Sequence, residues 1–132
     1  MFDFSSYIGI PFKSCGRDRS GLDCWGLLRL IYQEKLGIRL MSYIDEYTDA
    51  HFYEKVSDVV NAHIPEWGPV KRGSEKPFDV IILRLRGLPI HIGMVIKPGQ
   101  MIHVLDKLNT CLERYNTPLW ANRIRGIYRH GK

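Results

Sequence analysis

The chain has 132 residues, of which 45% are hydrophobic and 25% are charged, with a formal net charge of +5 and a pI near 9.2. A chain of this length holds one domain, 1–132, with a core large enough to fold without disulfides or a metal ion. The balance of residues argues against disordered and fibrous classes, and no stretch approaches the roughly 18 apolar residues of a membrane span. We therefore predict a single globular domain with no membrane insertion.

The N-terminal residues and the cysteines indicate a reducing compartment. Residues 1–6 lack a basic region followed by an apolar run, which predicts cytoplasmic synthesis without a signal peptide. The three cysteines, Cys15, Cys24 and Cys111, form no CxxC pair and do not suggest a disulfide framework. For Cys15 and Cys111 the simplest interpretation is packing as small buried or half-buried residues.

Basic residues cluster in two places, at Arg84 and Arg86 and in the C-terminal tail with Arg123, Arg125, Arg129, His130 and Lys132. The ordinary interpretation is a solvated basic face. The alternative is attraction to a polyanion, either nucleic acid or an anionic cell-wall polymer. Because no helix-turn-helix, zinc-finger or RNA-binding strand pattern is present, we predict no nucleic-acid partner.

The first predicted elements are a loop and a helix. Residues 1–20 are rich in turn formers and predict an irregular segment that could line a cleft. A helix is predicted over 23–36, with Asp23 as N-terminal cap and Gly37 as the left-handed C-terminal residue. Cys24 then lies in the first turn, where unpaired amide groups and the helix dipole favour the thiolate.

The remaining elements are a second helix and a set of strands. Apolar spacing predicts a helix over 52–63, stopped by Pro65, followed by a connector over 65–77. Residues rich in β-formers predict strands over 78–85, 89–96, 100–105 and 124–128. Helices followed by strands indicate an α+β fold with an antiparallel sheet.

The register of the second and third strands decides where two histidines point. If a three-residue loop, 97–99, joins them, Ile96 faces Gln100 and both His91 and His103 lie on one face. The opposite, even-numbered face is apolar and would pack on the helix that carries Cys24. The thiol would then reach the histidines from the helix N-terminus projecting past the sheet edge.

A cysteine and two histidines that meet in space are the minimum equipment of a cysteine nucleophile. Taken singly, each of these residues is more often structural than catalytic. Gly26, inside the helix, costs stability unless another backbone or a substrate approaches it closely. A zinc site from Cys24, His91 and His103 lacks a short-spaced ligand pair and a fourth ligand, so we predict no metal and no cofactor.

Four segments together resemble the NlpC-type cell-wall peptidases, a family of papain-like cysteine hydrolases. They are Leu-Asp-Cys-Trp-Gly-Leu-Leu at 22–28, Phe-Asp-Val-Ile-Ile at 78–82, His-Ile-Gly-Met-Val at 91–95 and Met-Ile-His-Val at 101–104. The resemblance implies a papain-like fold with N-terminal helices on the sheet. It also implies Cys24 as nucleophile, His91 as general base and acid, and His103 as the residue that orients His91.

The resemblance further implies a substrate and a setting. The substrate would be the peptide stem of bacterial peptidoglycan, and a basic surface would help on an anionic wall. Together with the segment 8–12, the chain looks most like compact members from bacteriophage tails and prophages, which makes other tail proteins potential partners and the virion tail its location. Phe12 stands where family members often have a Tyr near the oxyanion, which leaves a structural tail protein of weak activity as the alternative. A thiol acyltransferase or amidase with a different substrate is a third interpretation.

Overall fold

The computed structural model describes residues 2–131. Its helices are α1 (Cys24–Ile31), which continues as a π-helical turn (Tyr32–Leu36), α2 (Ile44–Tyr47) and α3 (Tyr53–His63), with 3-10 turns at Ser5–Tyr7, Ile64–Glu66 and Ala121–Arg123. Its strands are β1 (Arg17–Asp18), β2 (Gly21–Leu22), β3 (Gly68–Pro69), β4 (Val80–Leu85), β5 (Leu88–Lys97), β6 (Gln100–Leu105), β7 (Leu108–Arg114) and β8 (Ile124–Arg129).

The predicted helix over 23–36 is confirmed at both ends. Asp23 precedes α1 with an extended backbone, and its side chain accepts a hydrogen bond from the Gly26 amide. Gly37 ends the helical run with a φ of 67°, in the left-handed region. The last turn is wider than predicted, a π-helical turn, and α3 starts within one residue of its predicted position.

The six-stranded sheet has the order β3-β8-β4-β5-β6-β7, with antiparallel neighbours throughout. The predicted α+β class is therefore confirmed. Four strands were not predicted: β3, within the expected connector, β7, at the sheet edge, and β1 and β2, which pair with each other just before α1. The short helix α2 was also missed.

The β5–β6 hairpin has the predicted register, although its turn differs. Met94 pairs with Ile102, as a three-residue loop requires, but at the turn Lys97 pairs with Gln100 and a bulge falls at Ile96. A two-residue turn closed by Gly99, at φ 91°, therefore joins the strands. The bulge absorbs the extra residue, so the alternation of faces further along the strands is unchanged.

The two faces of the sheet carry different cores. Even-numbered residues of β4, β5 and β6 pack with Leu27, Leu28 and Ile31 of α1, as predicted. Val95 and Met101 belong instead to a second cluster on the opposite face, with Trp120. The rings of His91 and His103 lie 5.8 and 5.5 Å from the Trp120 ring, measured between centroids, so both histidines border this second cluster.

The N-terminal segment is irregular, as predicted, but it does more than line a cleft. Phe4, Tyr7 and Ile10 are buried in the first core cluster. Two backbone hydrogen bonds fasten the segment to β7: the Thr110 amide donates to the Ile10 carbonyl, and the Gly9 amide donates to the Thr110 carbonyl, each at 2.8 Å. No helix within residues 2–131 is long and apolar enough to cross a membrane.

The basic residues are only partly a solvated face. Arg84, Arg86, Arg123 and Arg125 are exposed. Arg129 instead binds the buried carboxylate of Asp79 through two contacts of 2.8 Å. Lys132 lies outside the described residues.

Candidate active site

Asp23 fixes the turn that presents Cys24. Its buried carboxylate accepts hydrogen bonds from the Gly26 amide at 2.8 Å, from the Cys15 amide at 3.1 Å and from the Tyr47 hydroxyl. The Arg17 guanidinium donates to the same carboxylate at 2.8 Å. A buried carboxylate is stable only when it has several hydrogen-bond partners. The conformation of the Asp23–Cys24 turn therefore depends on residues that are distant in the sequence.

Arg17 connects this turn to the segment before α2. It donates to the Ser42 hydroxyl at 2.9 Å, to the Ser42 carbonyl at 2.7 Å and to the Gly16 carbonyl at 2.9 Å. A Cβ at position 26 would collide with the same Gly16 carbonyl oxygen. The expected close approach at Gly26 is thus confirmed, and the approaching group is backbone.

The Cys24 thiol and His91 share one cavity. Cys24 is the first residue of α1, and its Sγ lies 4.0 Å from the carbonyl oxygen of Ile90, the residue before His91. Both Cys24 and His91 line a cavity of about 250 Å³. The helix N-terminus therefore places the thiol against strand β5, next to the backbone of Ile90.

The thiol is less acidic than its helix position predicts. Burial, followed by the negative charge of Asp23, raises the pKa of Cys24 to about 12. This direction is opposite to the one expected from the helix start, because burial and the Asp23 charge both disfavour the thiolate.

His91, His103 and Glu113 form a chain of hydrogen bonds behind the thiol. His91 Nε2 lies 2.8 Å from His103 Nδ1, and His103 Nε2 lies 2.8 Å from a Glu113 carboxylate oxygen. Because a carboxylate only accepts, His103 Nε2 carries hydrogen, and His103 Nδ1 then accepts from His91 Nε2–H. This assignment leaves the lone pair on His91 Nδ1, the nitrogen that makes no hydrogen bond within the His91–His103–Glu113 series.

Burial disfavours the protonated form of both imidazoles. Burial, and then the neighbouring His103, hold the pKa of His91 well below its ordinary value. Burial also lowers the pKa of His103, while the hydrogen bond and charge of Glu113 oppose this shift. Burial and the neighbouring imidazole therefore favour the uncharged form of His91, with its free lone pair on Nδ1.

Glu113, Arg17, Tyr47 and Trp120 are site residues that the sequence analysis missed. A signal for the strand that carries Glu113 was present: after the turn at Asp106, Leu108, the β-branched Thr110 and Leu112 occupy alternate positions, which is a strand pattern. In the structure His103 pairs with Cys111, which places Glu113 diagonally opposite His103 on the same face. No comparable sequence pattern indicates that Arg17 and Tyr47 bind Asp23.

The potential metal ligands that lie close together are not the set Cys24, His91 and His103 that was considered from the sequence. Among the described residues, His103, Cys111 and Glu113 form such a group, with ligand atoms within 4.8 Å of one another. Cys24 and His91 are not members of it. His103 and Glu113 already bind each other, so the group is accounted for by the hydrogen-bond chain.

The fold is papain-like: N-terminal helices pack on an antiparallel sheet, and Cys24 is the first residue of the main helix. The NlpC/P60 family profile matches residues 9–129. The chain therefore belongs to the NlpC/P60 family.

Relatives and solved structures agree with this assignment. The murein DD-endopeptidase MepS/murein LD-carboxypeptidase of Escherichia coli K12 is 22% identical over 124 residues, 93% of this chain and 57% of that protein. The chain thus spans little more than half the length of this curated relative. An NlpC/P60 family protein from Bacillus cereus is similar with a TM-score of 0.72 at 22% identity, covering 96% of this chain and 37% of that one.

Two further solved structures have the same fold. NlpC2 from Trichomonas vaginalis is similar with a TM-score of 0.70 at 18% identity, over 96% of this chain and 44% of that one. The NlpC/p60 domain of the peptidoglycan hydrolase SagA is similar with a TM-score of 0.64 at 18% identity, over 94% of this chain and 90% of that one.

Proposed function

We propose that this protein is a cysteine peptidase that hydrolyses amide bonds in the peptide stems of bacterial peptidoglycan. Cys24 is the nucleophile, His91 the general base and acid, and His103 the residue that orients His91. The observation that carries the proposal is the shared cavity of Cys24 and His91, with His91 tied to His103 and Glu113. The substrate is inferred from the murein peptidase that the chain resembles over 93% of its length.

The proton chain defines how the reaction would start. Because the pKa of Cys24 is raised and that of His91 is lowered, the resting pair is thiol and neutral imidazole. As the sulfur bonds to the amide carbon, the thiol proton moves to His91 Nδ1, and the carbonyl electron pair moves onto oxygen. His103 accepts the hydrogen bond from His91 Nε2, and Glu113 stabilises the positive charge through His103.

The second half of the reaction returns the proton. His91 gives the proton to the leaving amine, the carbon–nitrogen bond breaks, and a thioester on Cys24 remains. Water then attacks the thioester with His91 as base, releasing the acid and the thiol. The backbone amide of Cys24 is a candidate donor to the oxyanion.

Phe12 lacks the hydroxyl that a Tyr at this position would bring to the site. Its ring lines the cavity with Cys24, where the resemblance to the peptidases leads us to expect a Tyr near the oxyanion. A phenyl ring donates no hydrogen bond. The Tyr47 hydroxyl also borders the cavity but is bound to Asp23 and to Arg17. We infer that the oxyanion is stabilised by fewer donors than in a site with Tyr at this position.

Digestion of purified peptidoglycan from several wall chemistries tests the proposed activity. Peptides released by the native protein and identified by mass spectrometry would name the bond that is cut, and Cys24→Ala serves as the control. If no wall chemistry releases peptides, the peptidase proposal is wrong.

The second candidate function is a structural protein of a bacteriophage tail with weak hydrolytic activity. The absence of a Tyr hydroxyl at Phe12 favours it, and the intact histidine chain opposes it. We propose a tail setting on the resemblance to compact phage members, with synthesis in the host cytoplasm. Co-purification with tail proteins from induced lysogens, together with inactivity on every wall, would favour the structural role.

A further inference from the structure

A thiol lies beside the far end of the histidine chain. Cys111 on β7 pairs directly with His103 on β6, and Glu113, two residues further along β7, lies on the same face of the sheet. The ligand atoms of His103, Cys111 and Glu113 are all within 4.8 Å of one another. The hydrogen bond between His103 and Glu113 explains why those two side chains meet. It does not explain the thiol, which takes no part in the chain.

These three side chains are a ligand set for zinc. Imidazole nitrogen, thiolate sulfur and carboxylate oxygen are the donors that Zn²⁺ takes in proteins, and bonds of about 2.0 to 2.3 Å in a tetrahedron place the ligand atoms roughly 3.3 to 3.7 Å apart. Closing the set around an ion therefore requires shifts of about 1 Å. Cys111 and Glu113 can make them, because Cys111 is half-buried and the Glu113 side chain is 33% exposed, while His103 is fully buried and fixed.

The charge of the set and its surrounding hydrogen bonds also suit a divalent cation. One thiolate and one carboxylate balance the charge of Zn²⁺, and water can take the fourth position on the solvent side. A zinc-bound histidine ordinarily donates its other ring N–H to a neighbouring acceptor, which fixes the ring. His91 Nε2 lies 2.8 Å from His103 Nδ1, so such a partner is already in place.

We propose that His103, Cys111 and Glu113 form an inhibitory zinc site that prevents His91 from acting as a base. Zn²⁺ bonds to the lone pair of His103 Nε2, to the Cys111 sulfur and to a Glu113 oxygen. The hydrogen on His103 Nε2 and the Cys111 thiol proton leave to solvent. His91 passes its Nε2 hydrogen to His103 Nδ1 and takes one from solvent on its own Nδ1. Both imidazoles stay neutral, and one proton is released overall.

Zinc binding thereby reverses the hydrogen bond between the two histidines. His103 Nδ1–H donates to His91 Nε2, and His91 Nδ1 carries a hydrogen instead of a lone pair. Nδ1 is the nitrogen that accepts the Cys24 proton in the proposed reaction, so the zinc-bound protein has no base for its nucleophile. The metal acts without binding Cys24. The inhibition rests on the proposed function, whereas the metal site itself does not.

Cobalt binding tests the site without requiring activity. Co²⁺ substitutes for Zn²⁺ in such sites, and a bond between Co²⁺ and a thiolate gives a charge-transfer absorption band in the near ultraviolet. We expect the reduced native protein to show this band at neutral pH, saturating at one equivalent, and Zn²⁺ to remove it.

Three variants locate the thiolate that binds the metal. Cys15→Ser and Cys24→Ala should keep the band. Cys111→Ser should lose it and bind Co²⁺ at least about 100-fold more weakly, since losing a ligand costs no less than losing the hydrogen bond that supports one. A native protein without the band, a band that persists in Cys111→Ser, or a band lost in Cys24→Ala would overturn the proposal.

Nitrogen chemical shifts of labelled histidine report the switch itself. Adding Zn²⁺ to the native protein should move the hydrogen of His91 from Nε2 to Nδ1. A His91 that keeps its hydrogen on Nε2 with the metal bound would refute the inhibitory role. Because this measurement uses the native protein, it decides the matter even if Cys111→Ser does not fold.

Peptide release from a susceptible wall, with free Zn²⁺ fixed by a chelator buffer, gives the functional result. Zinc should stop release by the native protein, and excess chelator should restore it. Relative to its own metal-free rate, Cys111→Ser should need at least about 100-fold more zinc for the same inhibition. Equal sensitivity of the two proteins would mean that zinc acts elsewhere and would contradict the proposal.

Failure of the metal site and failure of the proposed function are distinguishable. A Cys111-dependent cobalt band in a protein that digests no wall would keep the metal site and reject the peptidase. Wall digestion by a protein that shows no cobalt band would do the reverse.

Discussion

Replacing Glu113 with Gln tests the hydrogen-bond chain behind the nucleophile. The variant keeps an acceptor oxygen for His103 Nε2 but removes the charge that supports a protonated His91. A hydrogen bond to a charged group is worth roughly 1.5 to 3 kcal/mol. Because the Glu113 side chain is 33% exposed, we discount this to about 1 to 2 kcal/mol.

That energy predicts a fall in kcat of about 5- to 30-fold, since 1.36 kcal/mol corresponds to a tenfold change in rate. KM should change little, because Glu113 is a positioning residue that does not line the substrate cavity. The assay is the rate of peptide release from a susceptible wall at several substrate concentrations. Glu54→Gln, an exposed carboxylate on α3, is the matched control.

A second readout separates positioning from a general structural role. In the native protein, nitrogen chemical shifts of labelled histidine should show His91 with its hydrogen on Nε2. Glu113→Gln should weaken this preference, because the amide of Gln can also donate to His103 and reverse the chain. An unchanged kcat, or an equal loss in Glu54→Gln, would refute the assignment of Glu113.

Three further predictions follow from the site. kcat/KM should rise with pH through a midpoint below 6.5, because His91 must be neutral to act as a base and its pKa is lowered. It should then stay level to about pH 9, because the pKa of Cys24 is about 12. A fall above neutral pH would indicate a thiolate–imidazolium pair instead. Phe12→Tyr should raise kcat by about fivefold if the new hydroxyl reaches the oxyanion, as one added hydrogen bond is worth about 1 kcal/mol, and no gain would show that Phe12 does not limit the rate. Gly26→Ala should destabilise the fold by about 1 to 3 kcal/mol in urea unfolding despite the better helix propensity of Ala, because its Cβ meets the Gly16 carbonyl; a stabilised variant would contradict that contact.

Local signals in the sequence were sufficient to predict the main helix, α1, and the register of the β5–β6 hairpin. Asp23 and Gly37 have chemistries that begin and end a helix, and the structure uses them as such. The face shared by His91 and His103 followed from two-residue periodicity, which fixes register wherever one face is apolar. The bulge at Ile96 could not be predicted, since it preserves that periodicity.

The parts that were missed depend on contacts between distant segments. Strand β7 is the last strand of the sheet, and its apolar pattern is interrupted by polar residues. Without β7 there was no basis for placing Glu113 beside His103. The pKa of Cys24 could not be predicted either, because the helix start is local in sequence whereas the burial that dominates the shift arises when distant segments such as β5 pack near the thiol.

Peptide release from a susceptible wall by the native protein, Cys24→Ala and Cys15→Ala is the most direct test of the central claim that Cys24 is the nucleophile. Cys15 is a matched control, since it is also a free, half-buried cysteine close to Asp23 in the chain. We predict that Cys24→Ala releases no peptides above the rate without protein, whereas Cys15→Ala keeps most of the native rate. Release by Cys24→Ala at the native rate would contradict the account.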